Sequence, residues 1–395
     1  MKYFFILGNN TALSLAEILA VLKPKYYHLL SADFLLADID LEIDALNLIN
    51  RLGGVIKIGE VKGEIKESNF HKKSLEACFK LALLKSKGVE SGKFNFGFSD
   101  YSHQFNIQNL GLKLKTEFKK RKISSRFVIS REENLSSVVV EQNKLIKKGI
   151  EIVIASLNGK VFLGETLAVQ PFKSLSYRDF GRPARDDKSG MLPPKLAQIM
   201  INLAELQNKD GLLLDPFCGS GTILSEAMLM DYKNVFGLDL SFKAIQDSRR
   251  NIDWIKEQYE LKDIRARLAV KNVLDLSKFV KMNSVSAIIT EPYLGPQRGK
   301  IEFELVIKEL DALYSKALLE CYKTMEPGAR IVMVWPVFYG NKFINPDIST
   351  FKKVEILPER MIIKEEVRKF LSPRGSIIYG RQGQKVFREI IVLEK

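Results

Sequence analysis

The residues with the clearest chemical pattern lie between Leu212 and Thr222, in the sequence Leu-Leu-Leu-Asp-Pro-Phe-Cys-Gly-Ser-Gly-Thr. The three leucines predict a short buried strand, and the two glycines leave room for a ligand to approach the backbone. The threonine is predicted to cap the apolar helix that follows. The residues of this turn that we expect to contact a ligand are Asp215, Pro216, Gly219, Gly221 and Thr222.

The chemistry of this turn favours a cationic nucleotide ligand. No lysine follows Gly221, and the turn lacks the three-glycine pattern of dinucleotide sites, so neither a P-loop nor a dinucleotide fingerprint is indicated. Asp215, at the strand end, suits a cation better than a pyrophosphate. A cation that fits is the amino-acid part of S-adenosylmethionine, because its ammonium group needs an acceptor and its sulfonium tolerates no positive charge nearby. The alternative is a purely structural glycine turn.

Two further acidic residues follow predicted strands. Asp239 lies 24 residues after Asp215, at a spacing where a carboxylate accepts from both hydroxyls of a ribose. Asp275 can accept from the amino group of adenine while a neighbouring backbone N–H meets a ring nitrogen. With Leu240 and Leu274 beside them, these residues predict an adenosine site. The alternative for an isolated strand-end aspartate is that it only caps a helix.

The stretch Thr290-Glu291-Pro292-Tyr293 ends another predicted strand. It resembles the Asp/Asn/Ser-Pro-Pro-Tyr/Phe/Trp signature of methyltransferases that act on amino groups. Pro292 and Tyr293 match the last two positions, whereas Thr290 replaces the usual acidic or amide residue and Glu291 replaces the first proline. The order along the chain, with the glycine turn before this motif, agrees with those enzymes.

This motif implies a particular kind of chemistry. An exocyclic amine is a poor nucleophile because its lone pair is delocalised into the ring. The site must therefore accept hydrogen bonds from both amine N–H groups, through a backbone carbonyl and a side chain, while an aromatic ring stacks on the base. We predict that Tyr293 stacks on the base. The acceptor is left open between Glu291 and the backbone carbonyls, and an inactive site is a further alternative.

The elements that would position these motifs alternate between strand and helix, as a doubly wound parallel sheet requires. A helix that opens with prolines, at 191–204, precedes the glycine turn. The predicted strands are 234–239, 265–273, 285–290 and 330–334, and the predicted helices are 242–259 and 302–325. Segments 353–356 and 376–393 are predicted to add antiparallel strands. The carboxyl ends of parallel strands line the ligand crevice, so the acidic residues are expected to meet there.

The first half of the chain predicts two other segments. Residues 1–60 have a β-α-β-α-β order that suits a small α+β lobe of the ferredoxin-like type. In residues 61–172, the pattern predicts helices at 74–87 and 106–120 and strands at 94–99, 125–129, 151–155 and 161–169. The last two strands are predicted to turn at Asn158-Gly159. The segment 135–145 fits either a strand or a helix.

Length and composition limit the class of protein. A chain of 395 residues, 46% hydrophobic and 27% charged, predicts a soluble globular protein of two or three domains. No run of 18 apolar residues occurs, and residues 3–7 are too short for a signal peptide, so we expect a cytoplasmic protein. Cys78, Cys218 and Cys321 lie far apart and there are only three histidines, so the sequence predicts neither a disulfide framework nor a metal site.

The formal charge of +14 is unevenly distributed. Residues 61–172 contain 20 basic and 11 acidic side chains, the largest basic excess for their length. Such an excess attracts polyanions, and without a membrane helix or lipidation signal the favoured partner is nucleic acid. A solvated basic face is the alternative. The basic residues expected to contact RNA are Lys119, Lys120, Arg121, Lys122, Lys147, Lys148, Arg178 and Arg182.

Several fragments of the middle segment resemble the THUMP module of RNA-modifying enzymes. They lie, in order, at 135–140, 144–145, 149–151, 163–166 and 169–170. A further stretch, 178–183 with 188–194, is close to the form seen in THUMP-containing tRNA guanine-N2-methyltransferases. The resemblance covers essentially the whole chain. It implies a ferredoxin-like lobe at 1–60, a THUMP module that grips tRNA at 61–172, a linker at 173–190 and a class I methyltransferase domain at 191–395.

The sequence therefore predicts an α/β chain with a Rossmann-like, S-adenosylmethionine-dependent methyltransferase domain. The resemblance implies methyl transfer to N2 of a guanosine in tRNA, at position 10, by a monomer without a metal ion. The alternatives are a methyltransferase for guanine N2 of ribosomal RNA, one for adenine N6 of DNA, and a catalytically inactive tRNA-binding protein. The THUMP-like segment argues against DNA, whereas the altered Thr290-Glu291 pair supports the inactive alternative.

Overall fold

The computed structural model describes residues 1–88, 92–185, 191–296, 302–339, 341–381 and 383–395. The chain separates into two compact units. Unit 1 contains residues 1–11, 22–51 and 55–172, and unit 2 contains residues 12–21, 52–54 and 173–395. Each unit is therefore built from more than one stretch of the chain.

The described part of the first 169 residues forms eight strands and five α-helices. They are β1 (Lys2–Leu7), α1 (Thr11–Leu22), β2 (Tyr26–Ser31), β3 (Phe34–Asp38), α2 (Ala45–Arg51), β4 (Val55–Lys66), a 3₁₀ turn, α3 (Phe70–Ser86), β5 (Phe94–Asp100), α4 (Ile107–Lys120), β6 (Ser125–Val128), α5 (Ser137–Gln142), β7 (Gly149–Leu157) and β8 (Lys160–Val169). The strands of unit 1 form one sheet in the order β2-β3-β1-β4-β8-β7-β5-β6. Strand β4 crosses the boundary predicted at residue 60 and pairs with both β1 and β8, so the two predicted segments share this sheet.

The first four strands have the ferredoxin-like arrangement. The chain order β1-α1-β2-β3-α2-β4 gives an antiparallel sheet in the order β2-β3-β1-β4. The sequence pattern does not predict β2, because His28 interrupts the apolar residues of a strand that is half exposed. Asn158 and Gly159, between β7 and β8, both have positive φ, as a tight hairpin turn requires.

Unit 1 is held by an aromatic core and by a buried polar network. Phe96 stacks on Phe127 with ring centroids 5.3 Å apart. The network centres on Glu151 of β7, whose side chain is fully buried. Its carboxylate accepts from Lys57 Nζ of β4 at 2.6 Å, from Ser99 Oγ at 2.7 Å and from Thr166 Oγ1 at 2.6 Å. These contacts join β4, β5, β7 and β8 at the centre of the sheet.

Unit 2 is a doubly wound α/β domain, and its elements follow the predicted alternation. They are α6 (Phe172–Phe180), α7 (Pro194–Leu203), β9 (Leu212–Asp215), α8 (Thr222–Leu229), β10 (Asn234–Asp239), α9 (Phe242–Gln258), β11 (Arg265–Val270), β12 (Val285–Thr290), α10 (Phe303–Thr324), β13 (Met325–Phe338), β14 (Lys342–Phe343), β15 (Lys352–Lys353), α11 (Glu359–Ile362), α12 (Glu365–Arg368), β16 (Ile377–Tyr379) and β17 (Val386–Glu394). The sheet order is β11-β10-β9-β12-β13-β17-β15, with the first five strands parallel and β17 antiparallel. The predicted α/β fold class is confirmed.

The structure decides one prediction that the sequence leaves open and corrects another. Residues 135–145, left open between strand and helix, contain helix α5, which Ser136 caps by accepting from the Val139 N–H. The predicted linker contains helix α6, whose buried face includes Arg178. A buried arginine does not contribute to an apolar repeat, so the sequence pattern does not predict this helix. Residues 188–190 of the quoted motif lie outside the described part of the chain.

Unit 2 also includes a short N-terminal part of the chain. Glu17 of α1 is fully buried and accepts from the N–H groups of Gly53 and Gly54, at 2.9 and 2.8 Å, and from Asn202 Nδ2 of α7 at 2.8 Å. A Cβ on Gly53 would lie 2.0 Å from the Lys195 carbonyl oxygen, so this position has no room for a side chain. Residues 12–21 and 52–54 are thus integral to unit 2.

Candidate functional site

Asp215 and Thr290 lie at the carboxyl ends of β9 and β12, which are adjacent in the sheet. From β9 the chain continues to β10 on one side, whereas β12 and β13 lie on the other, so the strand order reverses here. Such a switch point opens a ligand crevice in an α/β sheet. Thr290 Oγ1 donates to Asp215 Oδ1 at 2.7 Å across this point. The hydrogen bond links the glycine turn to the Thr290-Glu291-Pro292-Tyr293 motif.

Asp215 is a buried carboxyl with few hydrogen bonds. It is 1% exposed and accepts from the Phe217 N–H at 3.2 Å as well as from Thr290. Burial raises its pKa to about 7; the two donors oppose this effect, whereas the charges of Asp239 and Glu291 add to it. A cation bound beside Asp215 would favour its ionised form. The environment therefore fits an ammonium group.

The glycine turn has the backbone conformation that only glycine adopts easily. Gly219 and Gly221 have φ of +49° and +80°. A Cβ on Gly219 would meet no atom within 4 Å, whereas one on Gly221 would lie 2.4 Å from Ser248 Oγ of α9. Gly219 therefore borders open space, and Gly221 allows α8 and α9 to approach. Pro216 begins the turn immediately after Asp215.

Asp239 ends β10 next to this turn. Its Oδ2 accepts from the Gly219 N–H at 3.1 Å and its Oδ1 accepts from the Ser241 N–H at 2.8 Å. Two backbone amides thus fix the carboxylate, and each oxygen keeps a further lone pair for a ligand hydroxyl. Leu240 beside it is 68% exposed. An open glycine edge, a fixed carboxylate and a buried acid together fit the ribose and the ammonium group of S-adenosylmethionine.

The region of Asp275 differs in part from the expectation. Asp275 lies in the 3₁₀ helix Val273–Lys278 and pairs with Lys278 Nζ at 2.6 Å. The Leu274 N–H donates to Asn272 Oδ1 at 3.0 Å, and the Asp275 N–H donates to the Asn272 carbonyl at 3.1 Å. Both amides are engaged within the turn, so neither supplies the backbone donor expected for an adenine ring nitrogen.

The predicted helix cap at Thr222 is wrong. Gly221 occupies the cap position, and Thr222 is the first residue of α8. The Thr222 side chain is buried and its Oγ1 accepts from Arg182 Nη1 at 2.6 Å. The turn needs a residue with positive φ directly before the helix, and Gly221 supplies it. Thr222 therefore lies one position after the cap. Its hydroxyl supports the turn from behind through Arg182.

Arg178 and Arg182 do not form the expected RNA contacts. Both are buried, at 6% and 7% exposure. Arg178 binds Glu226 of α8 with two hydrogen bonds, from Nε at 2.7 Å and from Nη2 at 3.0 Å. Arg182 Nε donates to the Arg178 carbonyl at 2.9 Å. These guanidinium groups fasten α6 to the glycine-turn helix, which contradicts a direct role in binding phosphate.

In the Thr290-Glu291-Pro292-Tyr293 motif, Tyr293 is exposed, Glu291 is partly buried, and the other two residues are buried. Tyr293 is 61% exposed, and its carbonyl accepts from Tyr314 Oη of α10 at 2.8 Å. Glu291 forms an ion pair with Arg388 of β17. Burial raises the pKa of Glu291, and Arg388 opposes that increase. Arg388 lies 97 residues from Glu291, and no local pattern in the sequence identifies it.

The basic residues predicted in unit 1 come together at one edge of its sheet. Strands β6, β5 and β7 are parallel, so their amino ends share this edge. The Phe94 N–H donates to the Ser124 carbonyl and the Asn95 N–H donates to the Lys148 carbonyl, at 2.9 and 3.2 Å. The predicted basic residues at this edge, all of them exposed, are Lys119, Lys120, Arg121, Lys122, Lys147 and Lys148. We call this set the basic edge.

Two kinds of feature are absent from the described residues. No group of three or more His, Cys, Asp or Glu side chains there could hold a metal ion. In that same part of the chain, no helix is long and apolar enough to cross a bilayer.

Comparison with known proteins identifies similar sequences and folds. Residues 182–339 match the family described as UPF0020, RMKL-like methyltransferase domain. The tRNA (guanine(10)-N2)-dimethyltransferase of Methanothermobacter thermautotrophicus is 31% identical over 147 residues, which cover 37% of this chain and 39% of that protein. The probable tRNA (guanine(10)-N2)-dimethyltransferase of Methanothermococcus thermolithotrophicus is 32% identical over 114 residues, 27% of this chain and 67% of that protein.

The similarity to the longer relatives covers less than half of their length. The chain spans about two fifths of the length of the Methanothermobacter protein. Among solved structures, TrmN from Thermus thermophilus aligns over 100% of both chains with a TM-score of 0.52 and 17% identity. This similarity concerns the fold, and it extends through both units.

Proposed function

Because the chain belongs to the tRNA (guanine(10)-N2)-dimethyltransferase family, we propose that it methylates N2 of the guanosine at position 10 of tRNA, using S-adenosylmethionine. The observation that best supports this function is the hydrogen bond from Thr290 to Asp215 at the switch point. It supports the proposal because it joins the motif that resembles those of amine methyltransferases to the glycine turn proposed to bind the cofactor. These two parts are what methyl transfer to a base amine requires.

The cofactor site would consist of three groups. The Asp239 carboxylate, fixed by two backbone amides, accepts from the ribose hydroxyls. The open side of Gly219 lets the nucleoside approach the backbone. Asp215 accepts from the ammonium group of the methionine part. When bound, S-adenosylmethionine supplies an electrophilic methyl group attached to a sulfonium.

The guanine site would be formed by the motif after β12. Tyr293 is exposed enough to stack on a flipped base. The Thr290 hydroxyl donates its hydrogen bond to Asp215, so towards any other partner its oxygen is only an acceptor. Glu291 and the backbone carbonyls are the other acceptors. Hydrogen bonds from the amine to these acceptors increase the electron density on nitrogen, and they strengthen as the amine becomes positive in the transition state.

Unit 1 would bind the tRNA. The basic edge offers six exposed cations at the amino ends of three parallel strands. Phosphate groups spaced along an RNA backbone are attracted by such a row of charges. This segment is the part that resembles a THUMP module. We further propose that the protein works in the cytoplasm as a monomer and needs no metal ion.

The test is to incubate the full chain with an unmodified tRNA transcript and methyl-labelled S-adenosylmethionine. Nucleoside mass spectrometry should detect N2-methylguanosine or N2,N2-dimethylguanosine. A transcript with adenosine at position 10 is the matched control and should accept no label. Label on another guanosine would contradict the proposed position. Tight binding of tRNA without any transfer would favour the inactive alternative.

A further inference from the structure

The ion pair between Glu291 and Arg388 is an unusual feature of this site. Glu291 follows β12, and Arg388 lies in β17; β13 separates the two strands in the sheet. In the β13–β17 register, Arg388 is opposite Pro336, and on its other side it is opposite Tyr379 of β16. The Arg388 side chain therefore reaches past β13 to the end of β12. The two side chains are 11% and 13% exposed.

Both oxygens of the Glu291 carboxylate face the guanidinium. Arg388 Nε donates to Oε1, and Nη2 lies 3.5 Å from Oε2. This is a two-pronged arrangement, which fixes the plane of the carboxylate as well as its position. Each oxygen has a second lone pair that the guanidinium does not use.

In the part of the chain that the structure describes, the charge of Glu291 acts on two further titratable groups. The Glu291 charge helps to raise the pKa of Asp215 on β9, although burial is the larger cause. It also adds to the effect of burial in raising the pKa of Tyr314 on α10. Burial disfavours a charge on Glu291, whereas Arg388 favours it. Removal of the guanidinium would leave a buried carboxylate that takes up a proton more readily.

We propose that Arg388 is a positioning residue that holds Glu291 as an oriented carboxylate facing the N1–H and N2–H groups of the target guanine. This inference rests on the proposed function. Guanine presents these two donors side by side, and a carboxylate accepts from both. Adenine presents a lone pair at ring N1, which a carboxylate repels. Arg388 thus contributes to the choice of guanine without contacting the base.

A purely structural role would not require charge. An apolar pair of similar volume is often at least as stable as a buried ion pair, because both ions must be desolvated. Here Glu291 lies in the chain between Thr290, which donates a hydrogen bond to Asp215, and the exposed Tyr293. Its location in the motif, rather than any gain in stability, is the reason to assign it a role in the reaction.

The test uses the full chain and single-turnover methyl transfer to tRNA between about pH 5.5 and pH 9. The variants are Arg388→Met, Arg388→Lys, Glu291→Gln and the double variant Arg388→Met/Glu291→Gln. We expect Arg388→Met to lose about tenfold or more at neutral pH and to recover as the pH rises, since Glu291 then ionises at higher pH. Arg388→Lys should restore most of the rate. In the Glu291→Gln background, Arg388→Met should cause no further loss.

The matched control is Arg374→Met. Arg374 also pairs with a buried carboxylate of β17, binding Glu389 through Nε at 2.8 Å. This control should reduce stability but leave the shape of the pH–rate profile unchanged. A wild-type profile for Arg388→Met, or losses for Arg388→Met and Glu291→Gln that simply multiply, would overturn the proposal.

A second readout does not depend on methyl transfer. The loss of thermal stability in Arg388→Met should be small at low pH and grow as the pH rises, and Glu291→Gln should remove this pH dependence. A pH-independent loss would overturn the assigned pairing. Failure of the proposed function would appear differently, as an absence of methylated guanosine with the wild-type protein and every tRNA tested.

Discussion

At the scale of single residues, Asp215 controls how the cofactor site responds to pH. Its pKa is about 7 because the carboxyl is buried, well above the ordinary value of 3.8. Between these two values the folded protein holds a proton that the unfolded chain has lost. Stability therefore falls as the pH rises from about 4 to about 7. Binding of a cation works in the opposite direction, because it needs the ionised form.

We therefore predict that the affinity for S-adenosylmethionine increases with pH until Asp215 is ionised. Below pH 7 the affinity should fall by up to about tenfold per pH unit, since the site has to release a proton on binding. Calorimetry across this range tests the slope, and Asp215→Asn should bind more weakly and show little pH dependence. An equally steep slope in the Asp215→Asn variant would show that another group titrates.

Tyr293 gives a second prediction at this scale. It is 61% exposed beside buried Pro292 and is therefore available to stack on a base. Tyr293→Ala should lose a stacking contact of about 1–3 kcal/mol, whereas Tyr293→Phe should keep most of the activity. Single-turnover rates and cofactor affinity measured together test this, since the cofactor affinity should not change. An alanine variant as fast as wild type would remove Tyr293 from the reaction.

At the scale of elements, the buried network of unit 1 fixes how four strands align. Lys57→Met would leave Glu151 without its cation in a fully buried position. Breaking such a pair should cost about 3–5 kcal/mol, whereas Lys57→Met/Glu151→Leu should cost less because no charge is left unpaired. Urea unfolding of the single and double variants measures the difference. Equal losses in both would mean that packing, rather than charge, dominates.

Local patterns predict the elements whose apolar residues repeat regularly. The parallel strands β9 to β13 and the long helix α10 follow from such repeats. Elements stabilised by charge are harder to predict. Helix α6 buries Arg178 against Glu226, a partner 48 residues away. The pairing of Glu291 with Arg388 is more distant still. No local sequence pattern marks either residue of these pairs, so only the folded structure shows that they are in contact.

Among the site residues, those at strand ends are the ones that sequence alone can locate. Asp215, Asp239 and Thr290 lie together because parallel strands end at one edge of a sheet. The detailed roles of side chains depend on contacts that the sequence does not specify. The Leu274 amide is engaged by Asn272, and the Thr222 hydroxyl is engaged by Arg182.

At the scale of the whole molecule, the net charge of +14 makes binding to RNA sensitive to salt. Neutralising Lys119, Lys120, Arg121 and Lys122 together should weaken tRNA binding and flatten its dependence on salt. Each phosphate contact that is lost removes roughly one counterion from the slope. Filter binding over a salt series tests this prediction, with Lys352 and Lys353 of unit 2 neutralised as a control. An unchanged slope would identify the basic edge as a solvated surface.

The division of the chain between the two units has a consequence for inheritance. Residues 12–21 and 52–54 belong to unit 2, so the chain changes unit five times. A gene exchange with a single crossover near codon 172 would give unit 2 an N-terminal segment from another parent. Asn202 from one parent would then have to fit Glu17 from the other, and the Lys195 backbone would have to fit Gly53. The coding regions of the two units should therefore be inherited together more often than those of domains joined by a simple linker.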